Sequence, residues 1–151
     1  MAEACKEMTF TGDVLIRETD GDFDALWENG QPLMTDGFET GVLLAIYGNR
    51  NTWQNSLART PEEKYTSTFP DVIARATVSE RTKKDGTAAL ESALAFLVSS
   101  KMASKVIVTG QILSVYAIGW GIDIYSPSGV RTRFGINWEK GSLTTGYRRA
   151  A

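Results

Sequence analysis

The chain has 151 residues, with 16 Lys and Arg against 18 Asp and Glu, a single cysteine and no histidine. This length is typical of one domain. The absence of histidine excludes Ser-His-Asp and Cys-His catalysis and HExxH zinc sites. We expect neither a metal nor a cofactor, because one cysteine without histidine is too few ligands for a zinc or iron site. The near balance of charge argues against a nucleic-acid partner. No apolar run or signal pattern predicts a membrane segment or secretion, so we expect synthesis in the cytoplasm.

The N-terminal part of the sequence predicts a β-hairpin. Strand character extends over residues 8–17 and again over 23–30, where apolar and polar residues alternate. The second stretch ends in Asn29-Gly30, a dipeptide typical of tight hairpin turns. We therefore expect the chain to turn back at this point, with 33–35 as the returning arm.

A capped helix is predicted next, over residues 37–47. Asp36 and Glu39 have the spacing of a capping box, with Asp in place of Ser or Thr. Gly48 follows at a position where helix ends favour a left-handed residue. An apolar stripe at helical spacing predicts the buried side of this helix: Phe38, Val42, Ala45 and Ile46.

Residues 48–77 are polar and carry no clear periodicity. A structureless loop of this length is unusual inside a compact domain. Two interpretations are open: the segment contains short helices, with 62–66 and 71–76 as candidates, or a partner orders it.

The C-terminal half predicts one long helix and a strand meander. Ala and Leu favour a helix over 85–100, with a possible start as early as Ser79. Alternation predicts three strands, at 104–112, 115–125 and 130–138. The fold class is therefore α+β, an antiparallel sheet packed with two main helices. We divide the chain into an N-terminal arm and first strand, a single α+β domain and a flexible basic tail: 1–20, 21–139 and 140–151.

Candidate functional residues cluster in the polar segment and at the C-terminus. Most of the four tryptophans are expected in the core, but Trp53 lies in a polar background and is a candidate partner anchor. Arg50 and Arg59 flank it, either as ordinary solvated residues or as partners for carboxylates on a neighbouring subunit. Gly119 and Gly121 indicate a strand kink or a close approach by another backbone. The predicted interface residues are Asn49, Arg50, Trp53, Arg59, Tyr147, Arg148 and Arg149.

The order of these features resembles the tail-baseplate wedge protein 46 family of Mu-like bacteriophages. The resemblance covers roughly residues 21–139. It is carried by "GDFDALWENGQPLMTDGFETGVLLAIYGNR", a tryptophan-containing polar loop, "ALAFLVSSKMASKV" and a terminal Phe134, Trp138 and Glu139 pattern.

This resemblance implies a non-enzymatic structural protein of a contractile tail. It would be present in six copies around the hub, bind the larger wedge subunits through its core and template the first sheath ring by strand pairing. Partners would be those wedge subunits, the tail sheath protein and, as further candidates, hub or tube proteins, with no nucleic acid and no membrane. The T-even counterpart has an acidic-proline-arginine motif after its first helix, of which "GNRNT" retains only Arg50.

Two alternatives stay open on the sequence alone. The first is a tail-associated, lysozyme-like cell-wall hydrolase that uses two carboxylates, because a chain with eighteen acidic residues always offers pairs. No pair has a spacing that marks it as catalytic. The second is an unrelated soluble binding domain.

Overall fold

The computed structural model describes residues 13–19, 22–35, 37–139 and 142–149. The chain divides into two compact units, Met1–Gly41 and Val42–Ala151. Among the described helices, none combines the length and the apolar character needed to cross a bilayer.

The described part of the first unit contains short paired strands, which backbone hydrogen bonds between three leucines hold together. Leu15 donates to the Leu33 carbonyl, Leu26 to that of Leu15, and Leu33 to that of Leu26, over 2.8–3.0 Å. The predicted Asn29-Gly30 turn is confirmed, since both residues have positive φ, 51° and 76°. The three antiparallel pairs are β1 (Asp13–Val14) with β6 (Met34–Thr35), β2 (Ile16–Thr19) with β3 (Asp22–Ala25), and β4 (Trp27–Glu28) with β5 (Gln31–Pro32).

Helix α1 spans Phe38–Tyr47, which confirms the predicted helix. Val42 and Ile46 of the expected apolar stripe are almost fully buried. The Thr40 hydroxyl donates to the Val14 carbonyl at 2.7 Å, so the first turn is held to β1 within the first unit. The predicted capping residue, Asp36, lies outside the described residues.

The second unit contains two further helices and a four-stranded antiparallel sheet, which confirms the α+β class. The long helix begins earlier than the main 85–100 pattern, because the Ser79 hydroxyl caps it by accepting from the Thr82 amide at 3.1 Å. The helices are α2 (Phe69–Ala74) and α3 (Glu80–Ser99). The sheet has the order β10 (Ser142–Arg149), β9 (Arg131–Glu139), β8 (Ala117–Tyr125) and β7 (Lys105–Ser114).

Helix α3 covers one face of this sheet, which we call the inner face. Close packing is possible because Gly86 has no side chain: a Cβ there would lie 2.4 Å from the Trp120 ring. The Trp120 indole donates to the Lys83 carbonyl at 3.2 Å, and Phe69 of α2 packs edge-on against the same ring at 5.3 Å. Fully buried side chains of α3, β8 and β9 complete the core: Leu90, Leu94, Leu97, Ile118, Ile122, Phe134 and Ile136.

The structure corrects the prediction for the C-terminal segment. Residues 140–151 were expected to be a flexible tail after a three-strand meander, but Ser142–Arg149 form a fourth strand paired along the whole of β9. The physical reason is that β9 would otherwise leave its outer row of backbone groups unpaired, and strand β10 satisfies them.

Candidate functional site

The polar segment after α1 is an ordered loop whose two ends are joined. The Arg50 amide donates to the Ser67 carbonyl, and the Ser67 amide donates to the Gly48 carbonyl, each at 3.2 Å. The buried Ser67 hydroxyl donates to the Ile46 carbonyl and accepts from the Phe69 amide. We call residues 48–67 the Trp53 loop. Of the two interpretations of this segment, the structure supports internal order through short helices and side-chain hydrogen bonds.

Gly48 is required for a reason other than the one we predicted. Its φ is not in the left-handed region, so it is not a left-handed helix terminator. Instead, a Cβ at Gly48 would lie 2.2 Å from Cδ1 of Tyr65 and 2.5 Å from the Leu44 carbonyl. The glycine therefore lets the returning Tyr65 ring pack directly against the end of α1.

Asn55 holds the middle of the Trp53 loop together. Its Nδ2 donates to the carbonyls of Arg50 and Tyr65 at 2.9 and 2.8 Å. Its Oδ1 accepts from the Tyr65 amide at 2.8 Å. One side chain thus satisfies three backbone groups on the two arms of the loop, in the manner of a strand pairing.

Asn49 and Arg50 both contact Asp71 of α2. The side-chain Nδ2 of Asn49 donates to Asp71 Oδ1 at 3.0 Å. The Oδ1 of Asn49 accepts from the backbone amide of Asn51 at 2.8 Å. Arg50 Nε lies 3.6 Å from Asp71 Oδ2, with the arginine side chain 59% exposed. An exposed pair at this distance adds little stability, so the Asn49 bond positions the loop and Arg50 stays accessible.

Two large apolar side chains of the loop face solvent. Trp53 is 72% exposed and Leu57 is 69% exposed, both on a five-residue 3-10 helix, Trp53–Leu57. The Arg59 amide that follows is fixed by a 2.7 Å bond to Glu63 Oε2, in the next 3-10 turn, Pro61–Glu63. Leu57 is not among the predicted interface residues, although a large apolar residue four positions after Trp53 in a polar background is a recognisable signal.

The predicted interface residues fall into two groups. Asn49, Arg50, Trp53 and Arg59 belong to the Trp53 loop. The backbones of the other three lie in β10, in register with β9: Tyr147 opposite Phe134, Arg148 opposite Arg133 and Arg149 opposite Thr132.

Sequence reasoning also missed the residues that order the loop. These are polar or aromatic residues of an irregular segment: Asn55, Tyr65, Ser67 and Asp71. Their hydrogen bonds join residues ten or more positions apart, in the pairs Asn55–Tyr65, Ser67–Ile46 and Asp71–Asn49. No local sequence pattern predicts hydrogen bonds between residues this far apart. In the part of the chain that the structure describes, no group of three or more acidic or cysteine side chains could hold a metal ion.

Comparison with known proteins identifies no relative of this chain. No family model, no curated protein and no solved structure matches it.

Proposed function

We propose that this protein is a structural, non-enzymatic subunit of the baseplate wedge of a contractile tail, joining larger wedge proteins to the first ring of the sheath. Besides the sequence resemblance, one observation supports the proposal: the Trp53 loop holds two large apolar side chains in solvent on an internally bonded framework. Exposed aromatic anchors of this kind are typical of the centres of protein interfaces.

The order of the loop favours binding energetically. A segment that folds only on docking loses conformational entropy at that moment, roughly 0.5–1.5 kcal/mol for each immobilised side chain. Asn55 and Ser67 have already ordered the backbone around Trp53. Arg50 and Arg59 would form the polar rim around the apolar anchor and meet carboxylates of the wedge subunits.

Deleting the gene from its genome of origin tests this proposal. We expect tail tubes or baseplates without polymerised sheath, and restoration of sheathed tails by the wild-type gene supplied in trans. Fully sheathed, normal tails from the deletion strain would refute the assignment.

The hydrolase alternative is separated by an activity assay. Purified protein incubated with peptidoglycan should release no soluble fragments. Release that is lost when one or two carboxylates are replaced by amides would establish the hydrolase and overturn the structural role.

A further inference from the structure

The outer face of the four-stranded sheet, opposite α3, carries a row of glycines in register. Gly121 of β8 pairs with Gly135 of β9, which pairs with Gly146 of β10. Thr109 of β7 lies opposite Gly121 at the end of the row. Glycine is disfavoured inside strands because it packs nothing and loses more backbone entropy than other residues. Three in one row therefore require an explanation.

The fold itself does not need two of these glycines. A Cβ added at Gly121 or Gly135 would meet no atom within 4 Å. The contrast is Gly110 of β7, where an added Cβ would lie 2.8 Å from the Lys83 and Thr87 side chains, so this sheet uses glycine for tight packing elsewhere. On the outer face the missing side chains instead leave a slot of about 470 Å³.

Strand backbone forms the floor of this glycine slot, since the side chains of Trp120 and Phe134, which also line it, are buried on the inner face. Leu113 and Asn137 stand along one side. Arg133 stands along the other side. With strands about 4.8 Å apart, the row of three glycines is about 10 Å long, enough to hold one planar aromatic side chain.

The charge around the slot is positive on the Arg133 side. Lys105, Arg131 and Arg133 occupy outer-face positions there and are exposed, with Asp123 as the acidic residue between them. Asp123 is only 17% exposed and is bound through Arg133 Nε at 3.1 Å. A guanidinium has five N–H donors, so a side chain that is 58% exposed retains donors for a further carboxylate. Glu139, on the same face, lies at the opposite end of β9 from Arg133.

We infer that the glycine slot is a binding site for an acidic segment of a partner protein that inserts an aromatic side chain. The ring would lie over the exposed backbone of Gly121 and Gly135, where an aromatic side chain compensates for missing strand side chains. A neighbouring carboxylate of the same segment would bind Arg133. This site lies apart from the Trp53 loop and does not depend on the tail function proposed above.

The test measures binding of a fluorescein-labelled peptide, Glu-Asp-Trp-Glu-Asp, to the full-length protein by fluorescence anisotropy. Gly121→Val and Gly135→Val place a branched side chain in the slot at positions where a Cβ meets no atom within 4 Å. We expect both variants to fold, as circular dichroism would verify, and to weaken binding by about tenfold or more. Arg133→Gln should weaken it by about tenfold through the lost charge-assisted bond. The matched control is Arg75→Gln, an exposed arginine at the end of α2, which should bind as wild type, as should Trp53→Ala.

Several results would overturn the inference. Equal binding of the peptide Lys-Lys-Trp-Lys-Lys would remove the charge argument, and equal binding of Glu-Asp-Ala-Glu-Asp would remove the aromatic one. Wild-type affinity in a folded Gly121→Val protein, or in Arg133→Gln, would place binding elsewhere, and no binding at millimolar peptide would eliminate the site. Self-association abolished by Gly121→Val would assign the slot to a second copy of this chain instead.

Discussion

Replacing Asn55 with alanine removes the side chain that orders the Trp53 loop. Three hydrogen bonds are lost, two donated by Nδ2 and one accepted by Oδ1. A net contribution near 1 kcal/mol for each gives an upper figure of about 3 kcal/mol. Water reaches part of this half-buried site and replaces some of the bonds, so we expect a loss of about 2 kcal/mol, felt mainly as local opening of the loop.

Hydrogen exchange of the Tyr65 amide measures this opening directly, because that amide donates to Asn55 in the folded loop. A loss of about 2 kcal/mol should accelerate its exchange by about 30-fold. The matched control is Asn51→Ala, since the Asn51 side chain makes no hydrogen bond in the described chain while its backbone bond to Asn49 is kept. Unchanged exchange of Tyr65 in Asn55→Ala, or equal acceleration in both variants, would refute the account of the loop.

Four further substitutions test the packing, the capping and one ion pair of the helices by thermal unfolding. Gly86→Ala places a Cβ against the Trp120 indole ring, so it should lower the free energy of unfolding by about 1–2 kcal/mol despite better helix propensity. Gly41→Ala adds a Cβ that meets no atom within 4 Å, so it should raise the free energy of unfolding by up to about 1 kcal/mol. A change of the same sign in both variants would contradict the packing of α3 on Trp120. Ser79→Ala removes the cap of α3 and should lower stability by about 1 kcal/mol, and no change would show that the cap is dispensable. The hydrogen bond from Lys83 holds the pKa of Glu80 below its usual value. The stabilisation by this pair is therefore present above the unfolded-state pKa of Glu80 and is lost as pH falls through its lower folded-state pKa. The Tm difference between wild type and Glu80→Gln should close over that range, and a difference that persists at still lower pH would contradict the pair.

Elements with strong periodicity were predictable from the sequence. Helix α1 was predicted at 37–47 and lies at Phe38–Tyr47. Strand β8 was predicted at 115–125 and lies at Ala117–Tyr125, with Ile122 and Ile124 buried as their alternation requires. In these segments burial of one face determines both the conformation and the spacing of apolar residues, so the conformation can be inferred from that spacing.

Strand β10 was missed because tertiary context decides its conformation. Its sequence, "SLTTGYRR", is polar and basic, a composition that predicts a flexible tail. Leu143, Thr145 and Tyr147 do fall at alternate positions, a weak strand signal. The pairing partner, the free edge of β9, is what turns that weak preference into a strand.

The candidate site was only half predictable. Trp53 was identifiable because a large aromatic residue in a polar background is unusual. Its framework was not, because Asn55 and Ser67 act through bonds to backbone groups ten and twenty-one residues away. Deleting residues 140–151 would remove a strand of the sheet together with Arg148 and Arg149, so point substitutions are needed at these positions.

We propose that the Trp53 loop is a preformed binding surface for the larger wedge subunits. Its most direct test is the equilibrium affinity of the purified chain for the wedge complex encoded by the same genome. Tyr116→Ala, at a side chain that is 63% exposed on the β7–β8 turn, is the matched control. We predict that Trp53→Ala weakens the affinity by about 30-fold, the 2 kcal/mol or more typical of a central aromatic anchor, while the control binds as wild type. Wild-type affinity for a folded Trp53→Ala protein would contradict the claim.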